Sequence, residues 1–143
     1  MISKKAKYAL KALTQLTRKF ESQERMLISE IAEAENIPKK FLEAILLELR
    51  KNGLLHSQKG KGGGYKLRID PAEIPISKVL RIVDGPIAPM LCVSLNFYGK
   101  CEDCKDEITC YIRPMMEKIR DANLAIYEHT SLKDMVDNGV AAT

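Results

Sequence analysis

Tryptophan is absent from this 143-residue chain, aromatic residues make up only 6% of it, and there are just two histidines. With histidine so scarce, no His–acid or His–Cys constellation is on hand for general acid–base or nucleophilic catalysis, and an enzyme is not expected. No apolar run approaches the roughly 20 residues needed to cross a bilayer. The lysine-rich N-terminus is not followed by the apolar stretch of a secretory signal. No membrane partner is expected, and the cytoplasm is the expected location. Glycine is sparse, at eight residues. Its one concentrated run, Gly60-Lys61-Gly62-Gly63-Gly64, lies between two strand-like segments rather than before a helix, so it is not a nucleotide phosphate loop. Four cysteines in a cytosolic chain are too few and too clustered to read as structural disulfides.

What is present is concentrated between Ile31 and Leu67. Ile28, Ile31 and Ala32 fall on one side of a short helix over about Ser29 to Glu35. Asn36 is a fitting stop because Asn tolerates the left-handed conformation, and Pro38 suits the first position of the next helix. There Phe41, Leu42, Ile45, Leu46 and Leu49 recur at helical spacing and predict a core face. Lys39, Lys40, Glu43, Leu47 and Lys51 lie off that stripe, and Asn52-Gly53 ends the helix. Leu54-Leu55 and Tyr65-Lys66-Leu67 read as two short strands joined by Gln58 to Gly64. The pattern is a winged helix-turn-helix, mainly α with a small β-hairpin wing.

Charge agrees with a nucleic-acid partner. Residues 37–66 carry seven Lys/Arg against Glu43 and Glu48, a local +5, while the whole chain is only +4. A basic helix followed by a basic, side-chain-poor loop can follow a phosphate backbone closely. Gly60, Gly62, Gly63 and Gly64 remove Cβ atoms that would hold the loop off DNA or forbid positive φ. The less specific reading is a small basic α/β segment with a flexible hairpin.

Upstream, Ala6, Ala9, Leu10, Leu13, Leu16 and Phe20 make the stripe of an amphipathic helix over Lys4 to Phe20. Glu21 to Arg25 reads as a loop. Downstream, Asp70 to Pro75 is a turn-rich linker, Ile76 to Val83 a short helix, and Asp84-Gly85-Pro86 its stop. Cys92, Cys101, Cys104 and Cys110 then crowd into a loop with Glu102, Asp103, Asp106 and Glu107. Thiolates on backbone not committed to a helix suit an iron–sulfur cluster or zinc. A metal-free thiol switch or incidental cysteines are the other readings. From Tyr111 to about His129, Ile112, Met115, Met116, Ile119, Ala122 and Ile126 stripe a long helix, for a subunit interface or for packing within the chain. His129 reads as a surface or capping residue. Leu132, Met135 and Val136 mark a short terminal helix, with a loose tail from Gly139.

The segments Leu49-Arg50-Lys51-Asn52-Gly53-Leu54 and Gly60-Lys61-Gly62-Gly63-Gly64-Tyr65 resemble the Rrf-two (Rrf2) family of bacterial transcription regulators, with likeness extending over about residues 1–137. The resemblance implies residues 1–84 as a winged helix-turn-helix, 85–110 as a cysteine-rich sensor loop, and 111–137 as a dimerisation helix with a terminal helix. It implies a homodimer on a roughly palindromic double-stranded DNA operator. Lys39, Lys40 and a base-reading Glu43 would contact it from the recognition helix, and Lys59, Gly60, Lys61, Gly62 and Gly63 from the wing. Lys4, Lys5 and Lys7 would lie near the DNA. Lys59 stands where iron–sulfur members of the family place an arginine, and Lys61 where proline is common. In those members three cysteines, matching Cys92, Cys104 and Cys110, hold a [2Fe–2S] or [4Fe–4S] cluster. The usual histidine ligand falls at Arg113, and the acid borrowed by nitric-oxide-sensing members falls at Lys7-Tyr8, so Cys101 is the candidate fourth ligand. The implied function is a repressor or other regulator sensing iron–sulfur status, redox or nitric oxide. The alternatives are a zinc-containing regulator and a metal-independent, thiol- or partner-responsive repressor like the family's CymR.

Overall fold

Ser3 begins the first helix by accepting a hydrogen bond from Ala6 N at 2.9 Å on its hydroxyl oxygen, an N-cap that satisfies one of the orphan amides of the first turn. Its backbone N–H and its hydroxyl both donate to the Asp84 carboxylate, fastening the start of this helix to the end of another. This computed structural model describes residues 2–141. In chain order it contains α1 (Lys4–Arg18), α2 (Ile28–Glu35), α3 (Lys39–Lys51), β1 (Leu55–Gln58), β2 (Gly64–Leu67), a 3-10 turn (Pro71–Glu73), α4 (Ile76–Val83), a second 3-10 turn (Leu91–Val93), α5 (Arg113–Glu128) and α6 (Leu132–Ala141).

The core is built where the apolar periodicities meet. Ala6, Ala9, Ala12, Leu13 and Leu16 of α1 face Ile31 of α2, Leu42, Ile45, Leu46 and Leu49 of α3, and Ile76, Val79, Leu80 and Val83 of α4. Each buried Leu or Ile contributes on the order of 2 kcal/mol, so the four from α3 anchor that helix firmly while its other face stays in solvent. Alanines along α1 let the backbones of its neighbours approach closely. Leu132, 1% exposed, brings α6 into the same core. Backbone bonds from Ile76 N to Thr130 O (2.9 Å) and from Leu132 N to Ile74 O (3.0 Å) tie that junction to the start of α4.

Asn36 is left-handed (φ 53°) and closes α2 as its neighbours' sequence predicts. Pro38 sits one residue before α3, as its N-cap, rather than inside its first turn. Phe41 departs from the expected core face. It is 41% exposed and meets the ring of Tyr8 edge-on at 5.5 Å. On a helix of 3.6 residues per turn it lies about 100° around from Leu42, at the edge of the stripe, where α1 offers only one aromatic edge.

The hairpin is antiparallel, with Leu55 opposite Leu67 and Gln58 opposite Gly64. Strand β1 therefore reaches into what reads in sequence as loop, leaving only residues 59–63 as the turn. A further bridge pairs Met26 with Tyr65, with N–H···O distances of 2.9 and 2.7 Å, and pins the wing to the chain entering α2. Gly64 makes this possible: its φ is +121°, and a Cβ would fall 2.4 Å from Met26 O.

Helix α5 starts at Arg113, two residues later than the expected start at Tyr111, and ends at Glu128. His129 caps it, with Nδ1 2.7 Å from Ala125 O. Helix α6 runs on to Ala141, past the point where a loose tail is expected from Gly139; residues 142 and 143 lie outside the described residues.

Candidate nucleic-acid interface and cysteine cavity

The outer face of α3 presents Lys39, Lys40, Glu43 and Leu47, all exposed. None of the three charged residues joins an ion pair among the described residues; the acid of α3 that does is Glu48, held by Lys5 of α1 at 2.6 Å. Of the other N-terminal lysines, Lys4 lies 5.7 Å from the Tyr8 ring centroid, and Lys7 is exposed. At the far end of α3, Arg50 Nη1 donates to Ser57 Oγ at 3.0 Å, linking the helix to strand β1 of the wing.

Lys59, Gly60, Lys61 and Gly62 are exposed at the wing tip. The four glycines of the run are not equivalent. Nothing lies within 4 Å of where a Cβ would stand on Gly60 or Gly62, so these two leave the tip open. Gly63 is buried, and its Cβ would fall 2.3 Å from Gln58 O; the hairpin itself requires that glycine in order to close.

The four cysteines converge. Cys92 sits on the second 3-10 turn and is 7% exposed, whereas Cys101, Cys104 and Cys110 occupy irregular backbone and are half-buried. All four are free thiols, and together with Met90, Ile112 and Arg113 they line one cavity of about 250 Å³. Among the described residues no three Cys, His, Asp or Glu side chains are drawn together tightly enough to hold a single metal ion. The Cys101 thiol donates to Asp103 Oδ1 at 2.8 Å. That bond raises the Cys101 pKa and lowers that of Asp103. Tyr98 donates to Glu107 Oε1 at 2.5 Å, a bond that raises the phenol's pKa and joins the two arms of the loop.

Sequence periodicity identifies one face of α5; the structure shows that the opposite face holds the cysteine loop. Arg113, Glu117, Arg120 and Leu124, at helical spacing, face inward, and Leu124 is the buried residue. Arg120 Nη1 donates to Val93 O at 2.8 Å, next in chain to Cys92, while its guanidinium pairs with Asp121 at 2.9 Å. Arg113 pairs with Glu117 at 3.6 Å, and its Nε is buried without a hydrogen-bond acceptor beside the cavity. The seven-residue interval between the two arginines was a legible signal, masked by the stronger apolar stripe. That stripe is solvent-facing: Ile112 (49%), Met115 (54%), Ile119 (39%) and Ile126 (65%) are exposed, continued by Ile108 and Tyr111, while Met116 is half-buried. No helix of the described residues is long and apolar enough to cross a membrane.

A family model described as Rrf2, an iron-dependent transcriptional regulator, matches residues 2–138. The chain is 43% identical over 141 residues to an rrf2-like HTH-type transcriptional regulator of Rhodobacter capsulatus, covering 97% of this chain and 94% of that one. It is 30% identical over 138 residues to the HTH-type transcriptional regulator IscR of Photorhabdus laumondii, covering 96% of this chain and 79% of the relative. Among solved structures, CymR, the global cysteine regulator of B. subtilis, superposes with a TM-score of 0.78 at 28% identity over 96% of this chain and 97% of that one. These relatives are transcription regulators and not enzymes.

Proposed function

The chain belongs to the Rrf2 family of DNA-binding transcription regulators, and from that premise we propose a cytoplasmic homodimer that reads DNA with α3 and the wing and senses its signal through the cysteine cavity. The observation that carries the sensing half is the convergence of Cys92, Cys101, Cys104 and Cys110 on one cavity of about 250 Å³.

In the DNA-reading half, α3 enters the major groove by its N-terminal part. Lys39 and Lys40 contact phosphate or guanine, and Glu43 accepts from a cytosine amino group. Glu43 is free to do so because neither neighbouring lysine holds it. Lys59 reaches toward a narrow minor groove, where negative potential is greatest, and Gly60, Lys61, Gly62 and Gly63 let the tip follow the backbone. The Arg50–Ser57 bond keeps helix and wing in register.

In the sensing half, the donor set fits an iron–sulfur cluster: soft sulfur donors on mostly irregular backbone, in an open cavity larger than one ion needs. Cys92, Cys104 and Cys110 would hold it, with Cys101 as the fourth ligand once its thiol leaves Asp103. A bound cluster supplies redox and nitric-oxide reactivity that thiols alone lack. Arg113 at the rim offsets the negative charge of the thiolates. Arg120 joins Val93 to α5, and Arg81 of α4 meets Glu128 of α5 at 3.4 Å, so the state of the loop bears on how α5 sits against the DNA-reading unit. A signal that favours one arrangement of α5 would shift the spacing of the two recognition helices. The Cys101–Asp103 bond favours, as the second reading, a metal-free thiol regulator, because it keeps one thiol protonated and out of coordination. A zinc-loaded loop is the remaining alternative.

Two substitutions test the DNA-reading half. Glu43→Ala relaxes base preference in a binding selection more than it lowers affinity, on the order of 1–3 kcal/mol of discrimination at one position; an unchanged sequence logo refutes the role. Lys59→Ala weakens binding to every duplex and lowers the salt slope of log K by about 1; an unaltered slope removes Lys59 from the contact.

A further inference from the structure

Between the chain entering α2 and the wing tip lies an open concave surface lined by Glu24, Arg25, Leu27, Glu30 and residues 60–63. Both of its acids are already engaged: Glu24 pairs with Lys19 at 3.2 Å, and Glu30 accepts from Leu27 N at 3.0 Å. Its two cations are not. Arg25 and Lys61 make no ion pair or side-chain hydrogen bond among the described residues, and Arg25 Nε is buried without an acceptor. A buried guanidinium nitrogen without an acceptor is unfavourable unless something supplies an oxygen. The surface is also fixed to the wing, because the Met26–Tyr65 bridge holds the residue after Arg25 against β2. The glycines opposite carry no side chain that would keep a bulky oxyanion out.

We propose that Arg25 and Lys61 together seat one backbone phosphate of the bound DNA, beside the wing's minor-groove contact. The inference rests on the DNA-reading role proposed above and adds to it a residue outside both the recognition helix and the hairpin. Guanidinium is suited to this seat because its planar fork matches two phosphate oxygens, while Lys61 supplies a second point charge from the exposed tip. The contact carries no base information, so its signature is electrostatic: one fewer counterion released when it is lost.

The test uses the full-length protein and a duplex that it recovers from a random-sequence pool, with affinity measured across about 50 to 200 mM salt. Arg25→Gln keeps most of the side chain's length and should lower the slope of log K against log salt by about 1. Arg25→Lys should retain the wild-type slope, and neither variant should alter the selected sequence logo. Matching melting temperatures for Arg25→Gln and wild type exclude loss of fold as the cause; if Arg25→Gln does not fold, Lys61→Ala carries the same expectation from the other side of the seat. A folded Arg25→Gln with the wild-type slope overturns the proposal while leaving the DNA-reading role intact. Failure of the wild type to recover any duplex overturns the DNA-reading role itself.

Discussion

Replacement of Cys92 by alanine is expected to strip protein purified without oxygen of iron and acid-labile sulfide together, from near-stoichiometric content to background. Cys92 is the most buried of the four thiols and the only one of them on a helical turn, a 3-10 turn fastened to α5 through Val93 O and Arg120. It is the corner of the cavity tied to α5, while Cys101, Cys104 and Cys110 sit on irregular chain that would have to close around the proposed cluster. Losing the preorganised ligand removes more than one bond's worth of affinity, because the remaining thiols have no fixed point to converge on. Cys104→Ala and Cys110→Ala should behave alike, and their failure to lose iron would exclude the cluster assignment. Cys101→Ala separates two cases: loss of the cluster makes Cys101 the fourth ligand, whereas retention leaves that position to another group. Zinc without iron in the wild type would mark a thiol–zinc site. No metal at all would leave a regulator whose signal acts on the thiols themselves or through a partner protein.

Ile119→Glu is expected to convert a dimer into a 16.1 kDa monomer in light scattering and to reduce operator affinity by at least about a hundredfold. The reason lies in the outward face of α5. Ile112, Met115, Ile119 and Ile126 continue Ile108 and Tyr111 into an exposed apolar band that nothing among the described residues covers. Solitary exposed apolar residues are ordinary, but a contiguous stripe on a helix signals a partner. Ile119 is its centre and also borders a groove of about 220 Å³ lined by Leu80, Ile87 and Tyr127, which in the proposed dimer would receive a side chain from the second copy. Two-fold symmetry places the same residue at the interface twice, so one substitution buries two carboxylates in apolar surroundings. Each DNA half-site alone is a weak target; joining two makes the second contact intramolecular. A glutamate variant that stays dimeric, or a wild type that is monomeric, removes α5 as the interface.

Legibility in the sequence tracked how local the determinant was. Asn36, Asn52-Gly53 and Asp84-Gly85 stop helices through their own backbone preferences, and each stop is found where the sequence places it. The stripes of α3 and α4 were readable because a helix that buries a single face must repeat its apolar residues near every 3.6 positions. Phe41 was misplaced because it lies at the edge of such a stripe, where the neighbouring helix and not the repeat decides burial. The length of β1 was hidden because His56, Ser57 and Gln58 carry no apolar alternation; they are strand only because Lys66, Tyr65 and Gly64 stand opposite.

By itself the sequence determined the family, the helix-turn-helix with its wing, the basic segment facing outward and the clustering of four cysteines in one loop, all of which depend on neighbours in the chain. Only the tertiary structure decided that all four thiols share one cavity, that Arg120 and Arg113 serve that cavity from the reverse face of α5, that Gly63 and Gly64 are required by the hairpin and its bridge to Met26, and that Arg25 stands beside the wing. Apart from the hairpin's own need for Gly63, those relations join residues distant in the chain. They are set by how closely packed elements meet, which no single repeat or motif encodes.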